Sequence, residues 1–167
     1  MDRDALRALQ APLKDRYRAE PEVALITLRA SGSLDDDVTC SVETGRAVVR
    51  AGLHPATGGT GMAMCSGDML LQALVACAGV TLGAVSTSLG IAVKDARLVA
   101  EGDLDFRGTL GVARDVPVGF RAIRLSITLD TDASADEQAK LIALTERYCV
   151  VYQTIGEGCP VTVRLGA

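Results

Sequence analysis

Five cysteines, at positions 40, 65, 77, 149 and 159, and one histidine, His54, are the residues of this chain best suited to do chemistry. A thiolate is a nucleophile, a metal ligand and a redox group, whereas a thiol packed in a core is inert. Metal binding is the weaker use here: no two cysteines form a CxxC pair and there is a single histidine, so neither a metal nor another cofactor is expected. His54 falls in LHPATGGTGMAM, a loop dense in glycine and without a following GK[ST], so it is no phosphate cradle. No nucleophile elbow accompanies the histidine, which argues against a Ser–His or Cys–His hydrolase. The acidic residues are spread over turns and caps, with no pair singled out for glycoside chemistry. Thiol chemistry remains. Cys77 sits within MAMCSGDMLLQALVACAGVTLGAV, and Cys149 sits where a later helix runs out. Helices packed across a sheet can bring two such sulfurs together, although 72 positions separate them. Free cysteine also packs as a small hydrophobe, and that reading stays open for all five.

The elements that must position these thiols are legible from patterning. The chain has 167 residues, 49% apolar but only 3% aromatic and without Trp, so one domain with an aliphatic core is expected. Residues 2 to 19 read as a charged amphipathic helix broken or restarted at Pro12. EVALITLRAS reads as a strand, SLDDD as a turn, and VTCSVETGRAVVRAG as one or two strands around Gly45. Ser66 caps a helix with Asp68 in its first turn; it runs to about Ser88 and stops at Gly90. Apolar residues surround that helix, so it should be buried on most sides. Two long strands follow within IAVKDARLVAEGDLDF and VPVGFRAIRLSITLDTD, joined near RGTLGVARD. Ser134 and Glu137 form a capping box ahead of ADEQAKLIALTERYC. A short apolar segment, VVYQTI, and a last strand, PVTVRL, close an α+β order.

Net charge is −4 with arginines scattered along the chain, which argues against nucleic acid and against anionic membranes as partners. The charged N-terminus is not a signal peptide. The longest apolar run, residues 69–85, is interrupted by Gln72, two glycines and a threonine, so no membrane span is expected. An odd number of cysteines with no export signal points to reduced thiols in the cytoplasm.

The pattern Ser-Gly-Asp-x-Leu-Leu-x-Ala-Leu-x-Ala-Cys at 66–77, with Glu-Arg-Tyr-Cys-Val-Val at 146–151, resembles the OsmC/Ohr family of osmotically inducible and organic-hydroperoxide-resistance proteins. GDLDFRG, VGF and the closing PVTV extend the likeness over residues 35–165. The resemblance implies an OsmC-like domain over 21–167 behind a helical extension at 1–20. It further implies antiparallel sheets wrapped around a buried central helix, in an intertwined homodimer with active sites at the subunit interface. The implied activity is that of a thiol peroxidase. Cys77 matches the peroxidatic cysteine and Cys149 the resolving one, an organic hydroperoxide is the substrate, and an outside dithiol, such as a lipoylated protein, is the reductant. In the hydroperoxidase branch an arginine held by a glutamate supports the thiolate. Arg46 is the candidate arginine, with Arg29 in reserve. The glutamate position falls on Gly67, with Asp68 beside it as a shorter substitute. A non-catalytic dimer that binds a small apolar ligand at its interface is the alternative.

Overall fold

A computed structural model describes residues 2–19, 31–35, 39–44, 47–111 and 113–165. The element order is α1 (Arg3–Ala19), β1 (Ser31–Asp35), β2 (Thr39–Thr44), β3 (Ala47–Gly52), β4 (Met64–Cys65), α2 (Ser66–Leu89), β5 (Asp95–Asp103), α3 (Phe106–Thr109), β6 (Ala122–Asp130), α4 (Ala135–Tyr148) and α5 (Val150–Glu157). The chain divides into two compact units. One comprises residues 1–8, 73–99 and 126–167, the other 9–72 and 100–125.

The second unit holds a four-stranded sheet in the order β1-β2-β3-β4. The first three strands pair antiparallel, with Val42 opposite Val49, while the two-residue β4 joins β3 in parallel through Ala51 and Met64. Two local expectations change here. SLDDD is not a turn throughout, because Ser33–Asp35 belong to β1 and pair with Ser41 to Thr39. Pro12 does not break the first helix, which continues to Ala19. A proline removes one N–H and crowds the turn before it, and here helix continues on both sides despite that cost. EVALITLRAS and Gly45 lie outside the described residues, apart from Ser31.

Cys77 and Cys149 both belong to the first unit, whose core gathers on α2. That helix is 24 residues long and buries Leu74, Ala78, Leu82, Val85 and Ser86, a stripe at helical spacing. Leu82 and Val85 pack with Leu141 of α4, and Ile91, Val93, Leu98, Ile127 and Leu129 close around them. Of the residues of α2 only this stripe is buried, and Val80 on another face is 76% exposed. By length and composition alone α2 is apolar enough to cross a membrane. Its stop is the expected one, since Gly90 at φ 73° adopts the left-handed conformation that other residues resist. In the β5–β6 ribbon, Lys94 donates to the Asp130 carbonyl and Arg121 to that of Asp103, pairings at opposite ends that fit an antiparallel ladder.

Helix α4 starts as its sequence requires. The Ser134 hydroxyl accepts from the Glu137 N–H, and the Glu137 carboxylate accepts from the Ser134 N–H at 2.8 Å. VVYQTI forms the helix α5. PVTVRL, in contrast, is not a strand in this chain: residues 158–165 carry no regular structure. Val161, Val163 and Leu165 are 82%, 94% and 101% exposed. Alternating apolar residues favour a pleated conformation, but a strand exists only where another supplies ladder partners.

Leu141 is fully buried at the centre of this core. Leu141→Ala should cost roughly 2–5 kcal/mol of unfolding free energy, read as a lowered midpoint in urea unfolding. An unchanged midpoint would mean that α4 contributes little to the core on which Cys149 depends.

Candidate active site

Cys149 is the hinge between two helices. It terminates α4, its N–H donating to the Thr145 carbonyl at 2.9 Å, and with φ −75° and ψ 105° it starts α5. The Gln153 side chain donates back to the Glu146 carbonyl at 2.9 Å, and the Gln153 N–H to the Cys149 carbonyl at 3.0 Å, tying the corner together. Cys149 is 1% exposed. Its side chain does not cap α5, so the first N–H groups of that helix need another acceptor.

Cys77 stands in the middle of α2, and the groups that act on its sulfur are the Val151 N–H, the Cys149 thiol and the Val150 N–H. The Thr81 hydroxyl, which donates to the Cys77 carbonyl at 2.8 Å, is also within reach of the sulfur. Burial pushes the Cys77 thiol up. The Val151 N–H, the Cys149 thiol, the Val150 N–H and the Thr81 hydroxyl outweigh that penalty and hold its pKa below the ordinary thiol value. Cys149 moves the opposite way. Burial raises it, as do its bond to Cys77 and the negative charge there, despite support from the Tyr152 and Val151 N–H groups. Both cysteines are free thiols, Cys77 half-buried and Cys149 buried. The pair is therefore a half-buried thiol of lowered pKa beside an enclosed thiol of raised pKa.

Asp68 lies nine residues before Cys77 in the sequence of α2, in the first turn of that helix. Its carboxylate borders a cavity of about 340 Å³ in the second unit, with His54, Cys65, Asp103 and Phe120. Arg46 and Arg29 lie outside the described residues. Cys40 is on β2, Cys65 on β4, and Cys159 is exposed. Among the described residues no cluster of three or more His, Cys, Asp or Glu side chains could hold a metal.

Gly67 borders that cavity and a second one of about 270 Å³, walled by Leu53, Leu104, Phe106, Val118 and Phe120. A Cβ at Gly67 would stand 3.4 Å from Phe120 Cζ and 3.6 Å from Leu104 Cδ1, so aromatic and aliphatic groups crowd the start of any side chain there. Gly102 admits the same ring, since its Cβ would meet Phe120 Cε1 at 2.4 Å. The His54 ring stacks on Phe106 with centroids 4.8 Å apart, and its Nδ1 accepts from the Ala56 N–H. The groups that sequence reasoning missed are the backbone N–H donors of Val150 and Val151. The signal for them was a helix start directly after Cys149, which the apolar run VVYQTI did not disclose.

The fold and the paired cysteines define a class. Residues 59–164 match the family model of OsmC-like protein, and the chain belongs to that family. Its α+β architecture is the OsmC-like fold. An OsmC-like protein from Mycoplasma pneumoniae superposes with a TM-score of 0.66 at 17% identity, over 80% of this chain and 89% of that one. An organic hydroperoxide resistance protein OsmC from Legionella pneumophila gives 0.62 at 19% identity, over 79% and 90%. An organic hydroperoxide resistance protein from Elizabethkingia anophelis, with thiocyanate bound, gives 0.61 at 16%, over 79% and 90%. At these identities the likeness carries the fold. No curated protein matches the chain in sequence.

Proposed function

We propose that this protein is a cysteine-based thiol peroxidase that reduces organic hydroperoxides to alcohols, in oxidative-stress defence within the cytoplasm. The observation that carries the reading is the contact between a half-buried Cys77 held below the ordinary thiol pKa and a buried Cys149 held above it. Membership of a family that includes organic hydroperoxide resistance proteins supports it.

The chemistry follows from the asymmetry. The Cys77 thiolate attacks the distal peroxide oxygen, the O–O bond breaks, and the alkoxide leaves, taking a proton to become the alcohol. Cys77 is then a sulfenic acid. Cys149, in contact with it, gives up its proton and attacks the Cys77 sulfur. The S–O bond breaks, water departs, and the Cys77–Cys149 disulfide remains. An external dithiol, a lipoylated protein being one example, reduces the disulfide and is itself oxidised. The protein works as a homodimer in this reading. Exposed Val80 on the apolar α2 and the unpaired Val161, Val163 and Leu165 support it, since these are surfaces a second copy would cover.

The direct test is peptide mass spectrometry after one equivalent of cumene hydroperoxide. A Cys77–Cys149 cross-link should appear with the loss of two hydrogens. Free Cys77 and Cys149 after exposure, with the hydroperoxide intact, would rule the enzyme out. The 270 Å³ apolar cavity favours the second reading, a binding module for a small apolar ligand, and that result would leave it standing.

A further inference from the structure

Aromatic residues make up only 3% of this chain, which has two phenylalanines, one histidine and no tryptophan. Both phenylalanines and the histidine border both cavities of the second unit. The His54 ring lies on Phe106 at 4.8 Å with 18° between the planes. Phe120 lies against Gly102, where a Cβ would collide with its ring. We propose that these two cavities, which also share Cys65, Gly67 and Leu104, form one site for a neutral aromatic molecule of two fused rings that carries a hydroxyl or ring N–H. This rests on the second reading above, to which it gives a ligand class, and it is tested without hydroperoxide.

Size, shape and charge each narrow the ligand. An apolar cavity of about 150 Å³ takes one benzene ring, so one of about 270 Å³ takes two fused rings. The surrounding rings favour flat partners, because aromatic groups gain from offset stacking and edge-to-face contact. The second cavity is the polar side. Its Asp68 and Asp103 carboxylates repel an anion and accept from a hydroxyl or N–H. His54 Nδ1 already accepts from the Ala56 N–H at 3.0 Å, so the neutral ring carries its proton on Nε2, as a donor. Gly67 keeps the space open. It sits in the first turn of α2 and is not among the glycines with positive φ, so its backbone does not require glycine. Glycine is also a poor helix former. A Cβ there would meet Phe120 Cζ at 3.4 Å and Cys65 Sγ at 3.7 Å, ordinary contacts for one methyl group. A longer side chain would take the volume that a ligand ring needs.

The probe is 2-naphthol, titrated by calorimetry into the full-length reduced protein. With about eleven heavy atoms at an efficiency ordinary for small ligands, its Kd should be on the order of 0.1 mM or tighter. 2-Naphthoate replaces the hydroxyl by a carboxylate, and 1-octanol replaces the rings by a chain. Each should bind about 10-fold more weakly or worse. Gly67→Leu should weaken 2-naphthol roughly 10-fold or more, with Gly67→Ala in between. Unchanged affinity in Gly67→Leu, with helical content intact, would overturn the proposal. Should that variant fail to fold, amide chemical shifts of the wild type decide. Saturating 2-naphthol should move the Leu104, Phe106 and Phe120 resonances most, and shifts confined to other residues would overturn the site. If 1-octanol binds and 2-naphthol does not, the ligand class falls and the apolar binding module stands. If neither binds while hydroperoxide is consumed, the site falls and the peroxidase stands. Binding of 2-naphthol in a protein that consumes no hydroperoxide would sustain the site and remove the enzyme.

Discussion

Cys77→Ser should reduce hydroperoxide consumption to the uncatalysed background, a fall on the order of 10⁴-fold or more for loss of a nucleophile. The reason is electronic. Serine places an oxygen near the same position, but an alcohol is not ionised there at neutral pH. The assay is loss of cumene or tert-butyl hydroperoxide with a dithiol reductant, beside a circular dichroism check that α2 persists. Residual turnover close to wild type would place the chemistry on another thiol. The wild-type profile should carry the signature of the same group. Because its folded pKa is depressed, the rate should rise with pH through a midpoint below the ordinary thiol value. Stability follows the same sign. What the bound thiolate contributes is fully present above ~8.5 and is lost as pH falls through the folded Cys77 pKa.

Cys149→Ser should leave the first equivalent of hydroperoxide consumed but stop the cycle there, with steady turnover down on the order of 100-fold or more. Without the contacting thiol, the Cys77 sulfenic acid has no internal partner. Further oxidant carries it to the sulfinic acid, which a dithiol does not restore. Intact mass spectrometry should therefore show one and then two added oxygens on Cys77. Its initial rate should also drop, because the Cys149 thiol is among the groups that hold the Cys77 pKa down. Steady turnover without oxygen adducts would mean that the dithiol reaches the sulfenic acid directly and that Cys149 is not the resolving residue. The remaining thiols differ in setting. Cys159 is exposed and Cys65 faces the cavities of the second unit, so neither has the enclosed contact that Cys149 provides.

Much of this molecule is local physics and could be read before any fold was known. Ser134 and Glu137 had to start α4, because their side chains satisfy each other's backbone N–H groups whatever surrounds them. Gly90 had to stop α2, and nine-residue strands with alternating exposure had to lie in the RLVAEGD and AIRLSITLD regions. The two cysteines were recognisable by residue type and by family pattern. Tertiary structure decided the rest. Only the packing of α4 against α2 brings Cys149 to Cys77 across 72 intervening steps of chain, because a non-local contact leaves no periodicity in the sequence. PVTVRL shows the opposite failure, a strand pattern with no ladder partner among the described residues. The backbone groups around the two thiols were invisible for the simplest reason: almost every residue carries an N–H, and only the start of a helix at Val150 sets these beside the pair.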